Sequence, residues 1–197
     1  MLQIDDLTFR IAGRPLFEGT TARVPAGHHV GLIGRNGAGK STLFKLILNE
    51  MAADGGAVRV RPGASVGMVA QEAPGGGQTL LDFVLEADVE RARLLREAET
   101  AVDPMRIAEI HTRLADIGAH AAPARAALIL SGLGFDTAAQ GTPLGDWSGG
   151  WRMRVALAAV LFSEPDLLLL DEPSNHLDLE AVLWLETYLK SYKHTYI

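Results

Sequence analysis

Cysteine is absent from the 197 residues. Disulfides and thiolate metal sites are therefore excluded, and a reducing compartment suits the chain. Long apolar runs are absent too. The longest, Val155–Phe162, falls far short of the roughly 18 residues that a membrane-spanning helix needs. The opening residues, MLQIDDLTFR, bring acidic groups early and carry no basic segment ahead of an apolar run, so they do not read as a secretory signal. Basic charge is scarce: 18 Lys and Arg stand against 24 Asp and Glu, a formal net charge of −6. A simple nucleic-acid binder gathers Lys and Arg on one face. Here the one dense group, Arg91, Arg93 and Arg96, is interleaved with glutamates. The charge argues against polyanion binding by the chain as a whole and leaves room for a local basic site. We expect a soluble, cytoplasmic protein with no membrane partner.

What is present suffices for a sizeable core, since 48% of the residues are hydrophobic, and the length fits one domain with room for a subdomain. Leu2–Ile11 and Thr20–Val24 alternate loosely between turn residues and read as strands. His29–Ile33 reads as a short apolar strand, Lys40 to Asn49 as a buried helix, and Ala57–Val60 and Val66–Val69 as two more strands. A Gly- and Pro-rich loop, Glu72–Gln78, then changes the texture. From Leu80 to Leu133 the spacing is helical, with a break at Val102-Asp103-Pro104 and a fresh start near Pro123. Helix Gly149–Phe162, the apolar strand Leu167–Leu170, helix Leu179–Ser191 and a strand beginning at Thr195 complete the order. A continuous apolar strand is expected where a parallel sheet is covered on both faces.

Gly34-Arg35-Asn36-Gly37-Ala38-Gly39-Lys40-Ser41-Thr42 fits the phosphate-loop pattern G-x-x-x-x-G-K-[ST], and it stands between an apolar segment and a helix. Glycines let the backbone curl so that several N–H groups face one anion, and the helix start adds favourable partial charge. Lys40 is placed to reach β- and γ-phosphates, and the Ser41 hydroxyl to ligate Mg²⁺. Asp171 and Glu172 follow four leucines at a strand exit. One reading gives Asp171 to Mg²⁺ and Glu172 to an attacking water as general base; the plainer one makes them a strand-end cap and a solvated side chain. Gln71, just past a strand, is a candidate Mg²⁺ or water contact, or simply a surface glutamine. Ser148-Gly149-Gly150 opens a helix with a good N-capping residue and two small residues that expose backbone N–H groups. It is either a second anion site or an ordinary capped helix. His176 lies in the loop after the carboxylates, where a contact role fits better than metal binding. The pattern predicts an α/β fold: a P-loop NTPase core with a mixed sheet, an N-terminal antiparallel β region and an inserted α-helical subdomain. By position the core takes about 1–71 and 160–197, and the helical subdomain about 72–159.

Together these residues resemble the ATP-binding cassette family: phosphate loop (Gly34–Thr42), glutamine loop (Gln71), helical subdomain, Ser-Gly-Gly signature (Ser148–Gly150), Asp171-Glu172, and the loop Ser174–Asp178. The resemblance covers nearly the whole chain. It implies binding of ATP with Mg²⁺ and hydrolysis. Mg²⁺ would be held by Ser41, Gln71 and Asp171, with Glu172 as the catalytic residue. It also implies head-to-tail pairing with a second cassette, so that Ser148, Gly149 and Gly150 would meet the ATP of that partner. The wording SGGWRMR (148–154) and NHLD (175–178) is similar to the ABC-F group, in the branch of the translational throttle and of Uup- and YheS-like proteins. Members of that group carry two cassettes in one polypeptide and act on ribosomes, which implies the ribosome and tRNA as partners and translation or antibiotic protection as the setting. The alternative is the ATP-binding subunit of a membrane ABC transporter, where a signature like LSGGQ is usual.

Three departures from the family pattern bear on function. Ser174 stands where Thr is common. The aromatic that stacks on adenine would fall near Ile11, and Phe9 on the same strand face is the candidate replacement. The family's switch histidine would come a few residues beyond Ile197, and His194 is not in its place. From the resemblance we expect a first cassette cut short at its C-terminal side, weak or inactive as an ATPase in isolation.

Overall fold

The structure, a computed structural model, describes residues 1–69 and 74–197. They form two compact units. The first comprises Met1–Met68, Glu164–Glu172 and Ser191–Ile197 and carries all the strands. β1 (Leu2–Ile11) lies between β2 (Arg14–Val24) and β3 (Gly55–Val60), antiparallel to both. Its buried residues are Leu2, Ile4, Leu7 and Phe9. That spacing breaks the period of two once. The register shifts after Ile4, and Asp6 takes a φ of 47°, which returns Leu7 to the core face. Ala12 (φ 49°) and Gly13 (φ 79°) turn the chain into β2, with Ile11 paired to Arg14. Two positive φ values are what a tight hairpin turn of the favoured hand requires.

α1 (Lys40–Ile47) buries Phe44, Leu46 and Ile47 in the same core. β4 (Val66–Met68), β5 (Leu167–Leu169) and β6 (Thr195–Tyr196) form a parallel sheet with β5 in the middle. All three β5 leucines are fully buried, as a central parallel strand demands. Asp166 fastens this sheet at its start. Its carboxylate accepts from the Ser65 N–H (2.9 Å), the Ser65 hydroxyl (3.1 Å) and Arg61 (2.9 Å). The α/β class and both strand directions thus agree with the sequence, with the two directions segregated into separate three-stranded sheets.

The segment His29–Ile33 is not a strand. His29 forms an isolated bridge with Tyr196, and the Val30 N–H donates to the Tyr196 carbonyl (3.0 Å). Leu32 is 37% and Ile33 96% exposed. In a parallel ladder every second residue faces a given neighbour. Tyr196 faces this segment, while both backbone groups of Ile197 bond to β5.

The second unit gathers the described residues of Val69–Ser163 with Pro173–Lys190. It contains α2 (Leu80–Glu86), α3 (Val89–Thr100), α4 (Pro104–Asp116), α5 (Ala122–Gly132), the short α6 (Thr137–Gln140), α7 (Gly149–Phe162) and α8 (Leu179–Lys190). Most starts are capped as expected: Thr79, Asp88, Asp103 and Asp136 each accept from an N–H of the first turn. Asp103-Pro104, a break in the periodicity, is such a start, with Pro at the first position where no N–H is missed. α3 and α4 share a small core of Leu94, Ile110 and Leu114. Across it Glu90 pairs with Arg113 (2.7 Å) and Glu97 with Arg106 (2.6 Å). Sequence order alone assigns Pro173–Lys190 to the strand-bearing core, but this segment packs with the helices instead. The Tyr188 hydroxyl donates to the Leu161 carbonyl (3.1 Å), and Trp184 of α8 lies where a side chain at Gly132 would be.

That last contact reverses an ordinary rule. Ala in place of Gly normally favours a helix by about 1 kcal/mol. A Cβ at Gly132 would lie 1.9 Å from the Trp184 ring, so overpacking should win. Gly132→Ala is expected to destabilise the chain by about 2 kcal/mol, and Trp184→Ala beside it to remove most of that loss, both read from urea unfolding midpoints; a stabilised single variant would contradict the packing. A second expectation concerns Asp166, whose carboxyl is held below the usual carboxylate range chiefly by the Ser65 N–H, with further help from the Ser65 hydroxyl and Arg61. Its contribution is present above the ordinary aspartate range and is lost as the pH falls through the lowered folded value. Asp166→Asn should lower stability near neutrality and flatten the acid limb of the unfolding profile, while unchanged profiles would remove Asp166 from that role.

Candidate nucleotide-binding site

Between the bridge at His29 and α1 the chain makes a tight turn. The Ala38 N–H donates to the Arg35 carbonyl (3.0 Å), Gly37 has a φ of 79° and Gly39 a φ of 100°. Gly39 is the N-cap of α1 and has no side chain to offer, so no side-chain bond caps this helix. The first backbone N–H groups of any helix lack an internal acceptor, and here they are left for an anion. Leu16 of β2 presses on this point: a Cβ at Gly39 would lie 2.9 Å from two of its carbons.

A cavity of about 390 Å³ opens beside the turn. Asn36, Lys40, Ser41, Thr42 and Glu172 give it a polar end, and Ile11 and Leu16 an apolar one. The Lys40 ammonium donates to the Gly34 carbonyl (2.9 Å) and lies 3.6 Å from a Glu172 carboxylate oxygen. Glu172 takes a φ of 48°, a left-handed conformation that costs a non-glycine residue about 1 kcal/mol. Strain of this kind concentrates where a side chain is aimed for a purpose. Asp171, half-buried, has no hydrogen bond or ion pair among the described residues and does not line the cavity. Among the described residues no group of three or more His, Asp and Glu side chains is gathered as a metal cluster.

Of the residues singled out from the sequence, Asn36, Gly37, Gly39, Lys40, Ser41, Thr42 and Glu172 line this one cavity. Gly34, Arg35 and Ala38 are not among its lining residues; the Gly34 carbonyl receives the Lys40 ammonium, and the Arg35 carbonyl the Ala38 N–H. Gln71 lies outside the described residues. Phe9 is not the adenine-stacking replacement. It is 6% exposed, inside the core, while Ile11 is 50% exposed and lines the cavity. The register shifts between Phe9 and Arg10, which separates two residues that simple alternation puts on one face. Leu16 was not anticipated. Its signal was its place just past the hairpin turn that follows Ile11.

Ser148, Gly149 and Gly150 belong to the helical unit. Ser148 is the N-cap of α7, but its hydroxyl makes no capping bond, contrary to the expectation from residue type. Ser148 and Gly149 are exposed, so the first N–H groups of α7 face outward without a side-chain cap. Trp147 and Trp151 pack edge-on against Phe135, each at 5.2 Å between centroids, and the Trp147 indole donates to the Thr142 hydroxyl (2.8 Å). His176 ends a 3-10 turn, Pro173–His176, with its ring nitrogen 3.8 Å from where a Cβ at Gly150 would lie.

The family model described as ABC transporter matches residues 17–175. Among curated proteins, "Probable ATP-binding protein YheS" of Escherichia coli K12 is 45% identical over 200 residues, covering 100% of this chain and 31% of its own length. ATP-binding cassette sub-family F member 3 of Homo sapiens is 42% identical, covering 98% and 28%, and ABC transporter F family member 3 of Arabidopsis thaliana is 42% identical, covering 100% and 30%. The chain thus spans about 30% of the length of these relatives. A solved structure of the ATP binding subunit of an ABC transporter superposes with a TM-score of 0.70 at 21% identity, covering 100% of this chain and 78% of that one. The cbiO1 protein of Clostridium perfringens gives 0.63 at 24%, covering 100% and 76%. At these identities the structures speak for the fold alone.

Gly39→Ala tests the geometry of the loop. It meets both the positive φ and Leu16, so it is expected to weaken Mg-ATP binding at least about tenfold by calorimetric titration, with the far-UV circular dichroism unchanged. Wild-type affinity would mean that the turn is not needed for the anion.

Proposed function

The chain belongs to the ATP-binding cassette family of ABC transporter proteins, and on that premise we propose that it holds Mg-ATP on Gly34–Thr42 and supplies Glu172 for ATP hydrolysis in a two-cassette protein. One observation carries this reading: an uncapped helix start, Lys40 and Glu172 share a single cavity, with the lysine and the carboxylate 3.6 Å apart. The backbone of Gly37 to Thr42 receives the phosphates, and Lys40 leaves its Gly34 and Glu172 partners for the β- and γ-phosphate oxygens. Ile11 and Leu16 offer the base an aliphatic surface.

The donor set fits a divalent ion as well. The Ser41 hydroxyl, which lines the cavity, and the Asp171 carboxylate, which lies outside its lining and has no hydrogen bond or ion pair among the described residues, would hold Mg²⁺ together with phosphate oxygens, in the manner usual for a cation that keeps few protein ligands, and Gln71 is a third candidate. When bound, Mg²⁺ offsets the charge that builds on the phosphate oxygens. Glu172, released from Lys40, accepts a proton from the water that attacks the γ-phosphorus, and ADP and phosphate result. Ser148, Gly149 and Gly150 serve the ATP of the partner cassette, which accounts for a second uncapped helix start in one chain. The isolated chain is then a binder with weak turnover.

The 40–45% identity to F-family members and YheS proteins, with the wording of residues 148–154 and 175–178, supports an ABC-F role on the ribosome and its tRNA, in translation or antibiotic protection. Among the described residues no helix is long and apolar enough to cross a membrane. A transporter subunit is the second reading, which the family model described as ABC transporter leaves open.

Glu172→Gln, with its counterpart in the second cassette, should abolish turnover in the full-length protein and leave ATP bound. Gradient sedimentation from cells expressing that variant should carry it with ribosomes. Sedimentation with membranes would turn the reading toward a transporter, and unchanged turnover would remove Glu172 from its role.

A further inference from the structure

Arg154 is the most secluded cation among the described residues, 9% exposed in the middle of α7. A guanidinium so placed loses its water and must recover the loss from fixed partners. It finds them on two other segments and on its own helix. Its Nε donates to the His176 carbonyl at 2.5 Å, and one Nη donates to the Asp178 carboxylate at 2.7 Å. The same nitrogen makes a longer bond, 3.4 Å, to the Leu133 carbonyl just past α5. The guanidinium carbon lies 4.2 Å from the centre of the Trp151 ring, one turn earlier on α7. Asp178 in turn caps α8 by accepting from the Ala181 N–H (3.0 Å).

These bonds cross-link α7, the helix that Ser148–Gly150 opens, to the segment Pro173–Asp178. Arg154 grips that segment by the main chain of His176 and by the cap of α8. The His176 ring is thereby held beside Gly150. Pro173 directly follows Glu172 in sequence, so the anchored segment begins at the proposed base. An ordinary packing arginine would not satisfy two main-chain carbonyls and a carboxylate at once.

We propose that Arg154 is a positioning residue for ATP turnover: it clamps the segment that follows Glu172 to the Ser148–Gly150 helix start, so that the two move as one piece. This rests on the ATPase reading above. None of the residues that the clamp joins lines the cavity at Lys40. Its loss should therefore spare nucleotide binding and slow chemistry.

The test is steady-state hydrolysis by the full-length protein carrying Arg154→Met, Arg154→Lys or Asp178→Asn, with thermal unfolding of each. Arg154→Met should lower kcat on the order of 100-fold, as small displacements of reacting groups do, with KM and the ATP dissociation constant within about twofold of the parent. Arg154→Lys keeps the charge opposite Asp178 but not the fork that reaches two acceptors, and should recover part of kcat. Asp178→Asn leaves both carbonyl bonds and should fall less than Arg154→Met. If Arg154→Met does not fold, the other two variants decide on the same criterion. A kcat within about twofold of the parent in these variants, or KM and kcat failing in step with thermal stability, would overturn the clamp. A parent with no hydrolysis at all would instead refute the ATPase reading on which the clamp rests.

Discussion

The absence of a side chain at the N-cap of α1 is the constraint around which the first unit is arranged. Most helices in this chain close their first turn with Thr or Asp, whereas α1 begins on Gly39 in a conformation that L side chains rarely adopt. The exposed N–H groups have to be left open and the loop has to be kept from collapsing on them. Leu16 limits the space on one side and Lys40 spans the other, from the Gly34 carbonyl toward Glu172. The buried face of α1, with Phe44 and Ile47 in the core it shares with β1, fixes where this opening lies.

The same economy recurs at α7, whose serine N-cap makes no capping bond. Around it two tryptophans pack against Phe135, and a secluded arginine is bonded to two other segments. An open helix start on a rigid support suits an anion that arrives from outside the chain, because the donors need no rearrangement to meet it. On the proposed reading each cassette carries one open start for its own nucleotide and one for that of its partner.

Much of this was legible in the sequence because local chemistry and global fold agree there. The glycines before Lys40, the four leucines before Asp171 and the helix from Gly149 to Phe162 each carry their own signal, and each lies in the expected kind of element. Two of the failures share a cause, which is that strand periodicity is a property of pairing. Asp5-Asp6 and Phe9-Arg10 shift the register of β1. Alternation therefore placed Phe9 beside Ile11, when one is in the core and the other at the cavity. His29–Ile33 is apolar enough for a strand, yet only His29 and Val30 meet a neighbour, Tyr196. Pro173–Lys190 follows the core strand in sequence but owes its packing to Trp184, Tyr188 and Asp178, contacts that no local pattern announces. Leu16 and Arg154 are of this kind as well: their residue types are ordinary, and their surroundings set them apart.

The most direct measurement is the equilibrium binding of ATP to this chain, with and without Mg²⁺, in the parent and in Lys40→Ala. The account predicts one ATP per chain, tighter with Mg²⁺, and a loss of at least about tenfold on removing the ammonium. Equal affinity in the two proteins, or binding indifferent to Mg²⁺, would contradict the assignment of the uncapped helix start as the nucleotide site.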